Sequence, residues 1–342
     1  MSFNPRNILV IDFGQLGDVV MSLPALHAIR RRFSRARITV AVGKPGAEII
    51  DLSRCADDTL VVDRVALRDG FKPLSVLRLL QLVRDVRGRR FDFVIDLHSL
   101  SETNLLGFLS GAPKRLYSRR PHAWDFLANF SPRPPIEADH HTRHLVDRYL
   151  DVLQPLDIKE APSAPRLGTR SVDDQAIEQI LKKAKAETGA PLVGLFPGAG
   201  HPSRCWPLER FAELADFLER NHGARVLVFA GPEERAWLPA MRDLFPKSVL
   251  ILNRLTIAQL ASAQARLAVF ISNDTGPMHI AAAVGSPVVL LLDKRAPESY
   301  LPRARRQRVI YSSTIPDITV AEVYAATREL LAGARAETLF AS

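Results

Sequence analysis

Short apolar runs rich in β-branched residues alternate with segments of helical spacing along most of the chain. Residues 7–13 predict a buried strand, and residues 18–33, after a glycine-containing break, predict a helix. Further strands are predicted at residues 38–42, 60–62, 91–97, 192–196, 225–230, 267–271 and 288–292. Further helices are predicted at residues 74–86, 171–188, 207–221, 256–263, 277–284 and 320–332. Because strands and helices alternate, the pattern predicts an α/β fold of doubly wound parallel sheets.

A stretch with little periodicity separates two halves of similar pattern. Residues 155–170 contain three prolines and a glycine, a composition typical of a linker. We therefore expect an N-terminal domain at residues 1–160 and a C-terminal domain at residues 171–342. Ligands of such sheets bind at the carboxyl ends of the strands, so we expect a ligand cleft between the halves.

Composition narrows the class of protein. Hydrophobic residues make up 47% and charged residues 24% of the chain, as in an ordinary globular protein. Cys55 and Cys205 lie far apart, which argues against a disulfide framework or a zinc site and favours a reducing compartment. The first residues have the pattern of neither a signal peptide nor a spanning helix, so we expect a cytoplasmic protein.

The formal net charge of +9 suits anionic partners such as nucleotides, nucleic acid or a membrane surface. Basic residues cluster at residues 30–37 and at residues 114–120. Each cluster has two interpretations, a solvated basic face or a contact with an anionic acceptor or membrane.

The first candidate site is the loop Gly14–Asp18, between the first strand and the first helix. Its two glycines, one of them Gly17, allow close approach of the backbone to a ligand. Asp18 is either a helix cap or a general base. The loop lacks the third glycine of a dinucleotide fingerprint and the Gly-Lys-Ser/Thr of a P-loop.

A second glycine-rich loop, residues 196–200, is followed by Ser203 and Arg204 before a helix. Backbone amides and a guanidinium together suit a phosphate, although a plain connecting loop has the same pattern. After the next strand, Glu233 is either a ribose ligand or an acidic residue that opens a helix.

The third candidate loop, residues 272–279, combines polar residues, a glycine and a helix start. Pro277 is suited to the first helical turn, so Thr275 and Gly276 would lie where helix amides have no partner. Asp274 or Thr275 could instead cap the helix, with His279 packed in the core. The coincidence of the three signals favours an anion site.

These motifs together resemble glycosyltransferase family 9, the heptosyltransferases. The segments that carry the resemblance run in the family's order: residues 8–11, 16–20, 23–26, 144–150, 197–199, 206–211 and 273–283. The resemblance implies a GT-B fold, with the acceptor on the first Rossmann-like domain and the nucleotide sugar on the second. It also implies an inverting, metal-independent transfer, typically of heptose from ADP-heptose to the inner core of lipopolysaccharide.

The resemblance implies roles for the residues that match the family's motifs. Asp18 corresponds to the base, and Arg204 stands where many members have a lysine facing the diphosphate. The implied donor-binding residues are Ser203, Arg204, Glu233, Asp274, Thr275, Gly276 and His279, and the implied acceptor-side residues are Gly17, His144 and Arg148. Asp12 and Glu102 depart from the family, because members often carry basic residues at these positions. Negative charge there would disfavour a phosphorylated core sugar.

Two other classes of protein stay open. A sugar-nucleotide epimerase or an NAD-dependent enzyme could use two such domains, although the missing third glycine argues against NAD. A basic nucleic-acid-binding module is the other alternative, but only 7% of residues are aromatic and no interleaved aromatic-basic surface is evident from the sequence. We therefore expect a nucleotide-sugar donor, a glycolipid or glycan acceptor, no metal or other cofactor, no nucleic acid, and peripheral contact with the inner membrane face.

Overall fold

A computed structural model describes residues 3–63, 73–120, 123–137, 139, 142–158, 160–186 and 189–340. The chain divides into two compact units. Unit 1 comprises Met1–Arg166 and Pro297–Leu301, and unit 2 comprises Leu167–Ala296 and Pro302–Ser342. Pro297–Leu301 therefore belongs to unit 1 although it lies late in the chain, and no periodicity in the sequence indicates this return.

Unit 1 contains a parallel sheet of five described strands. They are β1 (Asn7–Asp12), β2 (Arg37–Gly43), β3 (Asp58–Val62), β4 (Phe93–Asp96) and β5 (Lys114–Tyr117), in the order β3-β2-β1-β4-β5. The described helices are α1 (Leu16–Arg32), α2 (Ala47–Ser53), α3 (Pro73–Gly88), α4 (Ser101–Leu109) and α5 (Leu145–Val152). The order reverses between β1 and β4, and such a switch point opens a crevice for a ligand.

Unit 2 contains a parallel sheet of six described strands. They are β6 (Leu192–Phe196), β7 (Arg225–Phe229), β8 (Leu250–Leu252), β9 (Val269–Asn273), β10 (Val288–Asp293) and β11 (Gln307–Ser312), in the order β11-β10-β9-β6-β7-β8. The described helices are α6 (Ser171–Lys183), α7 (Leu208–His222), α8 (Leu238–Leu244), α9 (Ile257–Gln264), α10 (Gly276–Ala283) and α11 (Val320–Phe340). The switch point here lies between β6 and β9.

The predicted α/β fold is confirmed, and each predicted strand and helix is present to within a few residues, apart from the C-terminal end of α11. The predicted 171–188 helix ends at Lys183, earlier than predicted, and its predicted last residues, 187–188, lie outside the described residues. β1 was recognisable because Ile8–Ile11 are fully buried, as expected of a central strand of a parallel sheet. The sequence pattern did not predict β5, β8 and β11, which lie at sheet edges and are short or partly solvated.

Candidate active site

In unit 1, acidic residues meet where β1 and β4 end side by side. Asp12 ends β1, Asp96 ends β4, and Asp18 lies in the first turn of α1. The Oδ2 atom of Asp18 accepts a hydrogen bond from the Gln15 amide at 2.9 Å. The same side chain lines a cavity of about 110 Å³. Asp18 is therefore both a helix-capping residue and a carboxylate that faces a cavity.

Gly14 is required for this arrangement. A Cβ atom at this position would lie 2.5 Å from the Cβ atom of Asp18 and 3.0 Å from Oδ1 of Asp12. The Gly14 amide also donates to Oδ1 of Asp12 at 3.0 Å. Gly17 is a half-buried residue in the first turn of α1. A glycine at position 14 thus lets the two carboxylates approach each other.

The surroundings of Asp18 raise its pKa. Burial is the main cause, and the negative charge of Asp12 adds to it. The Gln15 amide and the positive charges of His98 and Arg148 oppose the rise. Asp12 is fully buried, with its Oδ1 atom 3.8 Å from Nδ1 of His98.

The loop after β4 brings His98 to the cavity. Asp96 is fully buried and accepts hydrogen bonds from the amides of His98 (3.1 Å) and Ser99 (2.8 Å) and from Nδ2 of Asn104 (2.8 Å). Burial raises the pKa of Asp96 to about 7. His98 lies two residues after the end of β4, so its position near a strand end was the signal that could have identified it. Glu102, one of the departures from the family, is exposed on α4.

Arg148 lines the same cavity and is almost completely buried. Its Nε atom lies 3.3 Å from Oε1 of Glu137, and its guanidinium carbon lies 5.7 Å from the ring centroid of Tyr300. Oε2 of Glu137 accepts from the Ser118 hydroxyl at 2.9 Å. Glu137 and Tyr300, which sequence analysis missed, therefore hold Arg148 in place.

His144 has a structural role. It is the N-cap of α5, and its Nδ1 atom accepts from the Val146 amide at 3.2 Å. Its Nε2 atom lies 2.9 Å from the carbonyl oxygen of Leu301. The ring of His144 thus fastens the Pro297–Leu301 segment, which carries Tyr300, to α5.

In unit 2, Asn273 joins the loops that follow β6 and β9. Its Oδ1 atom accepts from the Trp206 amide at 3.0 Å, and its Nδ2 atom donates to the carbonyl oxygens of Pro197 at 2.8 Å and Gly198 at 3.3 Å. Asn273 is fully buried. It therefore couples the glycine-rich loop to the start of the 273–279 segment.

Glu234 occupies the space beside Gly198. A Cβ atom at position 198 would lie 2.0 Å from Oε1 of Glu234, whose Oε2 atom accepts from the Gly231 amide at 2.8 Å. Burial raises the pKa of Glu234. The preceding residue, Glu233, is exposed. Of the two neighbouring acids, Glu234 supports the loop and Glu233 is accessible to a ligand.

The start of α10 is accessible. Thr275 is its N-cap residue and makes no side-chain capping hydrogen bond, so capping by the Thr275 hydroxyl is excluded. Thr275 and Gly276 are half-buried. The Met278 amide donates a hydrogen bond to the Thr275 carbonyl oxygen at 3.2 Å. His279 lies almost completely buried in the helix. Amides at such a helix start suit an anion.

Arg204 lies near this helix start with 62% of its side chain exposed. Its Nη1 atom is 3.8 Å from Oδ2 of Asp274. Hydrogen bonds from Arg295 lower the pKa of Asp293, at the end of β10, to about 2, and the charge of Arg204 contributes to this effect. Ser203 is exposed, and its hydroxyl lies 2.8 Å from Nδ1 of His201. The guanidinium of Arg204 thus lies near the carboxyl ends of β9 and β10.

The described part of the chain contains no group of three His, Cys, Asp or Glu side chains placed to hold a metal ion. Both cysteines are free thiols. Among the described helices, none is long and apolar enough to cross a membrane.

A protein-family model matches most of this chain. The model of glycosyltransferase family 9 (heptosyltransferase) matches residues 79–323. Lipopolysaccharide heptosyltransferase 2 of Salmonella typhimurium is 25% identical over 315 residues, which cover 89% of this chain and 87% of the relative.

Two solved structures share the fold over nearly the whole chain. A glycosyl transferase family 9 protein from Veillonella parvula has a TM-score of 0.85 at 22% identity and covers 97% of this chain and 99% of its own. The Escherichia coli ADP-heptose lps heptosyltransferase II has a TM-score of 0.78 at 21% identity, covering 96% and 99%. The parallel sheets and these likenesses together show the GT-B fold.

Proposed function

We propose that this chain, which belongs to glycosyltransferase family 9 and is a glycosyltransferase, moves heptose from ADP-heptose onto a lipopolysaccharide-core or related glycan acceptor. The names of its relatives support this donor and this acceptor. The observation that carries the proposal is the carboxylate of Asp18, which lines a cavity and has a raised pKa. We propose neither an epimerase nor a nucleic-acid-binding module.

Unit 2 would bind the nucleotide sugar. The start of α10 at Thr275 and Gly276 supplies backbone amides and the positive end of a helix dipole, and Arg204 adds an exposed cation. Asp274 and Ser203 adjoin Arg204, and His279 lies in the same helix. Exposed Glu233 would accept hydrogen bonds from the ribose hydroxyls. These groups would stabilise the negative charge that develops on the leaving diphosphate, so we propose that no metal is required.

Unit 1 would bind the acceptor and supply the base. Asp18 would take the proton from an acceptor hydroxyl as that oxygen attacks the anomeric carbon and the bond to the diphosphate breaks. The electron pair of that bond leaves with ADP, and attack from the opposite face inverts the anomeric centre. Because burial raises the pKa of Asp18, the ionised carboxylate is a stronger base than a solvated one.

Arg148, Gly17 and His144 would serve the acceptor side in different ways. Arg148 lines the cavity and can donate hydrogen bonds to a hydroxyl or an anionic group. Gly17, in the first turn of α1, would allow close approach of an acceptor to the backbone, and His144 holds the segment that carries Tyr300. The buried charge of Asp12 favours a neutral sugar hydroxyl over a phosphorylated one beside Asp18.

A thermal-shift panel of ADP-, UDP-, GDP- and CMP-linked sugars tests the donor. We expect ADP-heptose to raise the Tm without magnesium, and Arg204→Ala to reduce that shift. Arg220→Ala is the matched control, because Arg220 is an exposed arginine of unit 2 paired with Asp216. No shift with any ADP compound would contradict the donor assignment, and loss of activity in EDTA would contradict metal independence.

Turnover by Asp18→Asn tests the base. The variant keeps the size of the side chain and should lose about 10²–10⁴-fold in kcat, since this is the usual contribution of general base catalysis. Its ADP-heptose thermal shift should stay near that of the parent protein. Near-normal turnover would show that Asp18 only caps α1.

The lipid-linked acceptor leads us to propose a cytoplasmic protein in peripheral contact with the anionic inner membrane face. The net charge of +9 suits such a surface. We propose no role for nucleic acid.

A further inference from the structure

Large apolar side chains of unit 1 are exposed on one stretch of the chain. The exposed fractions are 44% for Phe108, 43% for Trp124, 68% for Phe126 and 65% for Ile136. Helix α4, which carries Phe108, packs against the turn Asp125–Leu127. The ring centroids of Trp124 and Phe126 are 6.5 Å apart. The aromatic side chains therefore lie on neighbouring surface elements.

Arginines interleave with these side chains. The guanidinium carbon of Arg115 lies 5.3 Å from the ring centroid of Phe108, and its Nε atom donates to the Leu127 carbonyl at 3.0 Å. Arg119 pairs with Ile136 in an isolated β-bridge. The contacts thus join the apolar and basic side chains into one surface.

We call this surface the basic aromatic patch, and its members are Phe108, Lys114, Arg115, Arg119, Trp124, Phe126, Arg133 and Ile136. Arg119 Nε and Arg133 Nη1 each lie 3.7 Å from Oδ2 of Asp125. Since the four cations of the patch outnumber this carboxylate, the patch is positively charged.

The other basic cluster of unit 1, residues 30–37, is used within the fold. Arg30 pairs with Asp57 and donates to the Ala36 carbonyl at 2.9 Å, and Arg37 pairs with Asp58 at 2.6 Å. Arg30 and Arg37 are therefore paired within the fold, and Arg32 lies 5.0 Å from the ring centroid of Phe33. The basic aromatic patch therefore has features that a solvated basic face does not need.

The patch and the cavity that Asp18 lines share two segments of the chain. Ser118 and Arg120 line the cavity, whereas Arg119 between them belongs to the patch. Glu137 lines the cavity, and its neighbour Ile136 is exposed. Because successive side chains of an extended segment point to opposite sides, Arg119 and Ile136 point away from the cavity-lining side chains.

We propose that the basic aromatic patch docks unit 1 onto an anionic phospholipid surface. Tryptophan and phenylalanine are suited to the interface between headgroups and acyl chains, and arginines add attraction to anionic lipids. This membrane docking rests on the proposed function, because an enzyme that uses a lipid-linked acceptor must reach the membrane. Binding itself requires neither donor nor turnover.

Sedimentation with vesicles of phosphatidylcholine, with and without phosphatidylglycerol, tests the proposal on the full chain. We expect binding to the anionic vesicles, weakened by salt and absent or weak with phosphatidylcholine alone. Trp124→Ser with Phe126→Ser should weaken binding by roughly tenfold per residue, given half-burial of each ring. Arg119→Ser with Arg133→Ser should weaken it by about fivefold per residue.

Controls in unit 2 separate docking from general surface effects. Phe217→Ser removes an aromatic ring that is 41% exposed, and Arg220→Ser removes an exposed arginine. Both should bind vesicles like the parent protein, and every variant should keep its ADP thermal shift. The proposal is overturned if anionic vesicles do not bind, or if patch and control variants bind equally well. Turnover of a soluble acceptor fragment by the patch variants tests the proposed function separately.

Discussion

Replacing Asn273 tests whether its side chain holds together the loops after β6 and β9, which would bind the nucleotide sugar. The Asn273→Ala variant lacks Oδ1, which accepts from the Trp206 amide at 3.0 Å. It also lacks Nδ2, which donates to the Pro197 carbonyl oxygen at 2.8 Å. Both partners are buried, and an unsatisfied buried group costs about 1–3 kcal/mol. We therefore expect the free energy of unfolding of unit 2 to fall by about 2–6 kcal/mol.

Urea unfolding followed by tryptophan fluorescence measures this loss. Trp206 and Trp237 lie in unit 2 and Trp124 in unit 1. A Trp124→Phe background therefore makes the fluorescence specific for unit 2. The Asn273→Ala variant should also lose most of its ADP thermal shift, because the glycine-rich loop and the start of α10 would no longer be held together.

Thr256→Ala is the matched control. It removes the N-cap of α9, where the Thr256 hydroxyl accepts from the Gln259 amide at 3.1 Å, and should cost about 1 kcal/mol. This variant should keep its ADP thermal shift. A loss below about 1 kcal/mol for Asn273→Ala, or an unchanged ADP shift, would refute the bridging role.

Three further predictions concern single side chains. Asp12→Asn removes a negative charge that raises the pKa of Asp18. Since the base must be ionised, the acid limb of the kcat/KM profile should move to lower pH. An unchanged pH profile would contradict this coupling. Gly198→Ala places a Cβ atom 2.0 Å from Oε1 of Glu234, so the glycine-rich loop must shift. ADP should therefore bind more weakly in calorimetry. An unchanged affinity for ADP would show that the loop can shift without affecting donor binding. His144→Ala removes the cap of α5 and should lower the free energy of unfolding by about 0.5–2 kcal/mol, whereas His144→Asn should restore most of it, and equal losses would exclude a capping role.

Several features of this protein could be predicted from local sequence alone. The central strands are buried on both faces, so they appear as continuous apolar runs, with β1 the clearest case. The loops after β1, β6 and β9 combine glycine with polar residues at a strand-to-helix junction, which identified Asp18, Arg204 and Thr275 as candidates. These signals are local, because they depend on burial and backbone geometry within a few residues.

The edge strands β5, β8 and β11 could not be predicted in this way, although the edge strand β3 was predicted from its apolar run. β5 and β11 face solvent on part of their surface, so polar and apolar residues mix in them. The two acids at positions 233 and 234 have the same local pattern, and only packing against Gly198 makes Glu234 the buried one. The residues next to Glu233 and Glu234 in the sequence do not indicate which of the two acids will be buried.

The tertiary structure alone decided the surroundings of Arg148. Tyr300 reaches it from a segment that lies late in the chain but belongs to unit 1, and His144 holds that segment through the Leu301 carbonyl. Contacts between residues so distant in sequence leave no periodicity to detect. The sequence determines which segments become strands, helices and glycine-rich loops, whereas the partners of each charged side chain depend on how those segments pack.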